Sequence, residues 1–245
     1  MIFTLAVRDE NRSDLSRDLL RLQQTPRADR PLRVLHEFIL PPVCLGCRRL
    51  LRRAPSPDAP PLCSRCAPEL APLAPADRRA GDVEACFLYE GPLARAATRL
   101  KFAGEVELAG PLGRLLAAAP IWQAGWDLVA PAPLHWWRAV VRGYNQAGLL
   151  ARWAVRHAPG DARLDLGLLH KLRATAPQTD LDAAARRRNL AGAICVRAGR
   201  SVAGRRVLVV DDVTTTGATL DACLAALRAA GAARAAGLAL LRTPL

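Results

Sequence analysis

The stretch VLVVDDVTTTGATL, from Val207 to Leu220, does most to limit the folds open to this chain. Four consecutive apolar residues leave no polar face, so a strand made from them must be covered on both sides, as in a parallel sheet. The run stops on two adjacent acids and a Thr/Gly loop. TLDACLAALRAAG (Thr219 to Gly231) then places apolar residues at helical spacing and ends on a glycine. Strand ends in an open parallel sheet face the crevice where ligands bind, which puts Asp211 and Asp212 at its mouth. Carboxylates accept from hydroxyls. The N–H groups and positive dipole end at the head of the next helix attract phosphate, and Gly217 lets the backbone come close. A ligand with vicinal hydroxyls beside a phosphate, such as ribose 5-phosphate, suits both. Simple capping of strand and helix accounts for one acid and one Thr, but not for the whole string.

Short strands and helices alternate from Gly81 onward, which predicts an α/β fold with a mostly parallel sheet flanked by helices. Strands are expected at Ala85 to Glu90, Asp127 to Leu134, Arg206 to Val210 and Gly237 to Arg242. Helices are expected at Leu93 to Phe102, Leu108 to Ala118, Asn145 to His157 and Thr219 to Gly231. Residues 1–33 mix Arg with acids and lack an apolar period, so they read as a loosely ordered extension. The stretch APLAPADRRAG (Ala71 to Gly81) reads as a linker, which divides the chain into a small module at 34–75, a linker at 76–81 and the main domain at 82–245. No apolar run reaches the roughly 18 to 20 residues of a membrane helix. The opening residues lack the basic start of a leader, so the expected location is cytoplasmic, without membrane insertion.

The module is organised by cysteine. CLGC (Cys44 to Cys47) and CSRC (Cys63 to Cys66) stand 15 residues apart, the arrangement of a zinc ribbon. Four thiolates give a closed tetrahedral site with no open position, so its role is structural. Gly46 is read as the residue that permits the first turn. Two disulfides are the competing pattern, disfavoured in a cytosolic chain, and a redox Cys-x2-Cys pair more usually adjoins a strand–helix unit. Cys86, Cys195 and Cys223 read as small buried apolar residues.

The formal charge of +13 rests almost wholly on arginine and is unevenly spread. Residues 131–200 hold 12 basic and 4 acidic residues and 41–80 hold 7 and 3, whereas 81–130 hold 4 and 6. Such clusters suit phosphate groups or a nucleic-acid backbone, although a solvated arginine-rich surface has the same composition. Lys101 and Lys171 are the only lysines. The four histidines have no partner pattern and carry no assigned chemistry.

The string around Asp211 resembles the phosphoribosyl pyrophosphate (PRPP) motif of type I phosphoribosyltransferases, and neither a Walker loop nor a dinucleotide GxGxxG sequence is present. With CLGC, CSRC, LKF (Leu100 to Phe102), PAPLHWWRAVVRGYNQ (Pro131 to Gln146) and RATAPQTDLDAAARRRN (Arg173 to Asn189), the order is similar to the ComF family of competence-associated, phosphoribosyltransferase-like proteins. Tyr144 stands where that family often has Phe, and Ile194 where it is frequently aromatic. The resemblance implies a zinc-ribbon module fused to a PRPP-binding domain that handles incoming DNA during natural transformation.

Carried over by position, it sets Asp211 and Asp212 on the ribose hydroxyls and Thr214, Thr215, Thr216, Gly217 and Thr219 around the 5-phosphate. Arg142 is a candidate pyrophosphate contact through its bidentate fork, with Lys101 a weaker one, and Asn145 and Gln146 fix that loop. Arg173, Thr175, Gln178, Arg186 and Asn189 are candidate lid residues. Arg186 to Arg188 equally suit an exposed helical face or a nucleic-acid contact. The implied reaction uses PRPP with Mg²⁺ and transfers the pentosyl group to a nitrogen base, releasing pyrophosphate. The alternative is a non-catalytic adaptor for single-stranded DNA, working with DNA-uptake proteins, whose pocket senses PRPP or is vestigial. Trp136 and Trp137 beside Arg138 and Arg142 suit such stacking and charge contacts, though a Trp pair also suits core packing.

Overall fold

The computed structural model describes residues 42–52, 59–134, 143–172 and 192–244. Its elements begin with β1 (Arg79–Ala80), β2 (Val83–Leu88), α1 (Gly91–Phe102), α2 (Ala109–Ala117) and β3 (Leu128–Pro131). There follow α3 (Gln146–His157), β4 (Arg163–Leu164), β5 (Leu169–Lys171) and β6 (Ile194–Val196), and then β7 (Arg206–Thr214), α4 (Ala218–Ala229) and β8 (Arg234–Arg242). One six-stranded sheet has the order β1-β2-β8-β7-β3-β4. All its pairings are parallel except that of β1, which folds back on β2. β5 and β6 form a separate antiparallel pair.

The apolar run in β7 is explained by two cores. Leu208 and Val210 join Leu238 and Leu240 in a core with Leu100 of α1, Leu112 of α2 and Leu150 of α3. Val207 and Val209 alternate into a second core with Leu220 and Leu224 of α4 and with Leu169 and Ile194 of the small hairpin. Residues Val207 to Val210 have no exposed surface. Each such side chain contributes roughly 1.5–3 kcal/mol on burial, so β7 is the staple between the layers.

The α/β arrangement matches expectation, with informative differences. β7 runs past Val210, because Asp211, Val213 and Thr214 pair with Ala239, Leu241 and Arg242 of β8. The acids therefore lie within the strand, and the connection to α4 shrinks to 215–217. Asn145, expected inside a helix, caps α3 by accepting from the Ala147 N–H at 3.0 Å. The stretch read as a linker contains β1 and is bonded to the sheet edge. Just before it, the Leu73 N–H donates to Cys86 O (3.0 Å), and Ala71 O accepts from the Leu88 N–H (2.8 Å).

The cysteine segment is joined to this body. Val43 and Leu50 bridge antiparallel around the first cysteine pair, and Leu45, 2% exposed, belongs to the main core. The expected extension at 1–33 lies outside the described residues. Among those described, no helix is long and apolar enough to cross a membrane.

Candidate functional site

The carboxyl end of β7 gathers most of the expected ligand residues. Asp212 is 4% exposed, and its Oδ2 has no hydrogen-bond partner among the described residues. Its backbone N–H donates to Asp211 Oδ1 at 2.9 Å. Burial first, and the neighbouring Asp212 second, push the Asp211 carboxyl well above its ordinary pKa, while the charge of Lys101 pulls the other way. A charge on Asp211 beside a second carboxyl is disfavoured unless a cation or a set of donors is supplied.

Thr214 closes the strand and is buried, Thr215 is exposed, and Thr216, Gly217 and Thr219 are half-buried. Thr216 Oγ1 is buried without a hydrogen-bond partner among the described residues. Gly217 has φ 79° at the N-cap of α4, a left-handed conformation that glycine adopts without strain. Gly217 has no side chain with which to cap that helix, and Asp221 stands in its first turn. The hydroxyl, amide and carboxylate groups needed for a sugar phosphate thus meet within a few residues.

The neighbouring strand end supplies the second wall. The Ala132 N–H donates to Val210 O at 2.8 Å, and Asn145 Nδ2 donates to Ala132 O at 3.0 Å, so Asn145 ties the end of β3 to the start of α3. Gln146 is 4% exposed. The Tyr144 hydroxyl donates to Leu100 O in the last turn of α1, beside Lys101. The phenol that departs from the expected Phe thus has a specific partner, which the sequence marked only as an odd residue. Arg142 and Arg173 lie outside the described residues, as do Thr175, Gln178, Arg186, Asn189 and the tryptophan pair.

Cys44, Cys47, Cys63 and Cys66 converge, with their sulfurs all within 4.8 Å of one another and none in a disulfide. Cys47 Sγ and Cys63 Sγ are 3.6 Å apart, close to the edge of about 3.8 Å expected for a tetrahedron with Zn–S near 2.3 Å. The Cys63 N–H points to Cys44 Sγ at 3.3 Å. Backbone N–H groups, that of Cys66 foremost, lower the Cys63 thiol to about 6, while burial and the surrounding sulfurs push Cys66 up to about 12. Four crowded thiols of which only some ionise readily form a donor set that a soft divalent cation completes. Arg95 Nη2 lies 3.8 Å from Cys66 Sγ and 2.8 Å from Glu69 Oε2, an outer contact on the cluster.

Gly46 has a different role from the one expected. The left-handed residue of the first turn is Arg48, at φ 62°. A Cβ on Gly46 would lie 2.6 Å from Pro92 Cβ and 2.9 Å from Cys66 Sγ, so glycine is required by close approach. Cys86 and Cys223 are buried with raised thiol pKa values, Cys86 at about 12. Cys195 is half-buried instead, with Sγ 3.5 Å from His170 Nδ1 across the β5–β6 pair. A cleft of about 390 Å³ opens at the other end of the sheet, lined by Trp126, Asp127, Arg163, Arg205 and Arg206 among others, and holds none of the expected site residues.

Residues 168–244, from the small hairpin through β8, match the family described as Phosphoribosyl transferase domain. The chain is 35% identical to DNA utilization protein YhgH of Escherichia coli O157:H7 over 165 residues, covering 63% of this chain and 69% of that protein. It is 32% identical to competence protein F of Haemophilus influenzae over 160 residues, 58% of this chain and 65% of the relative. A hypoxanthine phosphoribosyltransferase of Staphylococcus aureus, known from a crystal structure, is similar at 17% identity and a TM-score of 0.34, over 57% of this chain and 63% of that one. By its identity to the Escherichia coli protein and the share of that protein it spans, the chain belongs to the ComF/YhgH family of DNA utilization and competence proteins and carries a phosphoribosyltransferase-like domain.

Proposed function

We propose that this protein binds PRPP with Mg²⁺ at the carboxyl end of β7 and acts in the handling of DNA taken up by the cell. The observation that carries the reading is the buried Asp212 Oδ2, an acceptor without a partner among the described residues, five residues ahead of Gly217, the left-handed N-cap of α4. Asp211 and Asp212 take the ribose hydroxyls. Thr214, Thr215, Thr216, Gly217 and Thr219 take the 5-phosphate, and Arg142, Lys101 and Arg173 the pyrophosphate, with Asn145 and Gln146 fixing the loop. Mg²⁺, held chiefly through the pyrophosphate, would supply neutralisation of the leaving group's charge.

In the transfer, a base nitrogen bonds to ribose C1 as the bond from C1 to the pyrophosphate oxygen breaks. The oxygen keeps the electron pair and the base loses a proton. The protein binds, orients and shelters that centre without a covalent intermediate. The cysteine cluster is a structural zinc site in a zinc-ribbon module over 34–75, joined through 76–81 to a PRPP-binding domain over 82–245. The location is cytoplasmic.

The names of the relatives, DNA utilization protein and competence protein, support the link to DNA. Arg49 and Arg52, exposed beside the cysteine cluster, favour a second reading, an adaptor that contacts single-stranded DNA through the module while its pocket senses PRPP. Calorimetric titration with Mg·PRPP tests the site. Wild type is expected to bind, the Asp211→Asn/Asp212→Asn double variant is not, and binding unaffected by the double change would overturn the reading. Pyrophosphate release assayed with a panel of nitrogen bases then separates transferase from adaptor. Binding without turnover on any base assigns the adaptor.

A further inference from the structure

Helix α1 touches the cysteine cluster along one stretch and the carboxylate pocket at its end. At its start, Pro92 packs on Gly46 and Arg95 reaches Cys66. One turn on, Arg99 donates from Nη1 to Gly46 O at 3.0 Å, from Nη2 to Leu45 O, and from Nε to Glu105 Oε2 at 3.1 Å. Glu105 in turn pairs with Arg48, so the loop between Cys44 and Cys47 is gripped from two sides. The last turn of α1 then meets the pocket, where Leu100 O accepts from the Tyr144 hydroxyl. Lys101 follows, and its charge is felt at Asp211.

We propose that Arg99 is a positioning residue for the PRPP pocket: its fork clasps the carbonyls of Leu45 and Gly46, so that the metal-bound loop holds α1 in the register that anchors Tyr144 and presents Lys101. The inference rests on the PRPP reading of the pocket. A planar guanidinium suits two successive carbonyls as an ammonium does not, and its charge is matched by Glu105 in a place where both side chains are largely covered. The carbonyls it grips belong to the loop whose sulfurs meet in the cluster. Fixing the sulfurs on one ion therefore fixes the clasp, and the clasp fixes the end of α1. The cluster lies well away in sequence, 53 residues from Arg99 to Gly46, yet acts on the pocket through a single helix.

Two measurements on the full-length zinc protein test this. Amide hydrogen exchange is followed at 100–103 and 143–146 before and after addition of a zinc-selective chelator, with 112–116 and 150–154 as controls. Exchange at the first two segments is expected to rise about tenfold while the controls hold, and Mg·PRPP affinity to fall by a similar factor, within the usual range of coupling between sites. Arg99→Gln with zinc still bound stoichiometrically is expected to show both changes already, with little more on chelation, and Arg99→Lys to recover only part of the affinity. Should Arg99→Gln fail to fold, Glu105→Gln loosens one side of the clasp and is expected to show the same pattern, at about threefold. Unchanged exchange at 143–146 on chelation, or zinc-loaded Arg99→Gln with wild-type affinity, overturns the proposal. If wild type binds no Mg·PRPP, the reading of the pocket fails by itself, and the exchange experiment still decides whether the clasp transmits.

Discussion

Strand β7 begins at one carboxylate and ends at two, and the two ends are built oppositely. At the start, Asp127 accepts the Arg206 backbone N–H at 2.7 Å and its guanidinium at 3.0 Å, and this partner holds the Asp127 pKa below the ordinary value. At the far end, Asp211 and Asp212 stand side by side, with one buried oxygen unpartnered among the described residues and the Asp211 pKa raised by burial. A carboxylate that serves the fold has its cation beside it. On the proposed reading, one that serves a ligand is held in an environment that the ligand must complete. A cleft of about 390 Å³ lies at the satisfied end, so an open cleft does not by itself mark the end that carries the unpartnered acid.

The largest effect expected from this contrast is on binding. Asp212→Asn is expected to weaken Mg·PRPP by roughly 10- to 100-fold, since a hydrogen bond to a charged group is worth about 1.5–3 kcal/mol. Asp127→Asn is expected to leave the affinity alone. Calorimetry on both variants decides, and equal losses at the two ends would break the comparison. A smaller effect of opposite character is expected in stability. The folded protein holds the Asp211 proton to higher pH than the unfolded chain does. Stability is therefore lost as pH rises from about 4, the ordinary aspartate value, through the raised folded one. Asp211→Asn removes that slope. Its Tm above pH 5 is expected to exceed that of wild type, by about 2–4 °C for each kcal/mol relieved, while at pH 3 the two coincide. A variant that melts lower than wild type at pH 7 would show that Asp211 is satisfied within the fold. The cost carried at neutral pH is the usual mark of a group kept for binding.

Much of this contrast was legible in the residues, but not all. Val207 to Val210 announced a strand covered on both faces because period and burial agree. That the strand continues to Thr214 was hidden, since two adjacent Asp residues, a type depleted in strands, interrupt the apolar run before Val213 and Thr214. Only pairing with Ala239, Leu241 and Arg242 holds them there. The cysteine spacing placed all four sulfurs, because two Cys-x2-Cys pairs at this separation form a recognisable donor set. The clasp by Arg99 is not local, and no periodicity marks an arginine for carbonyls 53 and 54 residues away. Gly46 was assigned a turn because glycine usually earns its place by φ, whereas here Arg48 bends and Gly46 makes room. The Pro/Ala-rich stretch before β2 reads as a linker by composition, yet its backbone groups find partners on the sheet edge.

The smallest expected effect closes the contrast from the satisfied end. Asp127 and Arg206 are both partly open to solvent, so their attraction is screened and worth little. The depressed pKa of Asp127 means that its contribution is complete above about pH 4 and is lost as pH falls through the folded value, the reverse of the slope at Asp211. Asp127→Asn keeps an acceptor for the Arg206 N–H and loses only the charge. Its Tm at pH 7 is expected to lie slightly below that of wild type, with the gap shrinking in 1 M salt and vanishing near pH 2. A drop that exceeds the gain from Asp211→Asn, or that salt does not touch, would mean that the amino end of β7 depends on its ion pair for more than local order, and the two ends would then differ in degree and not in kind.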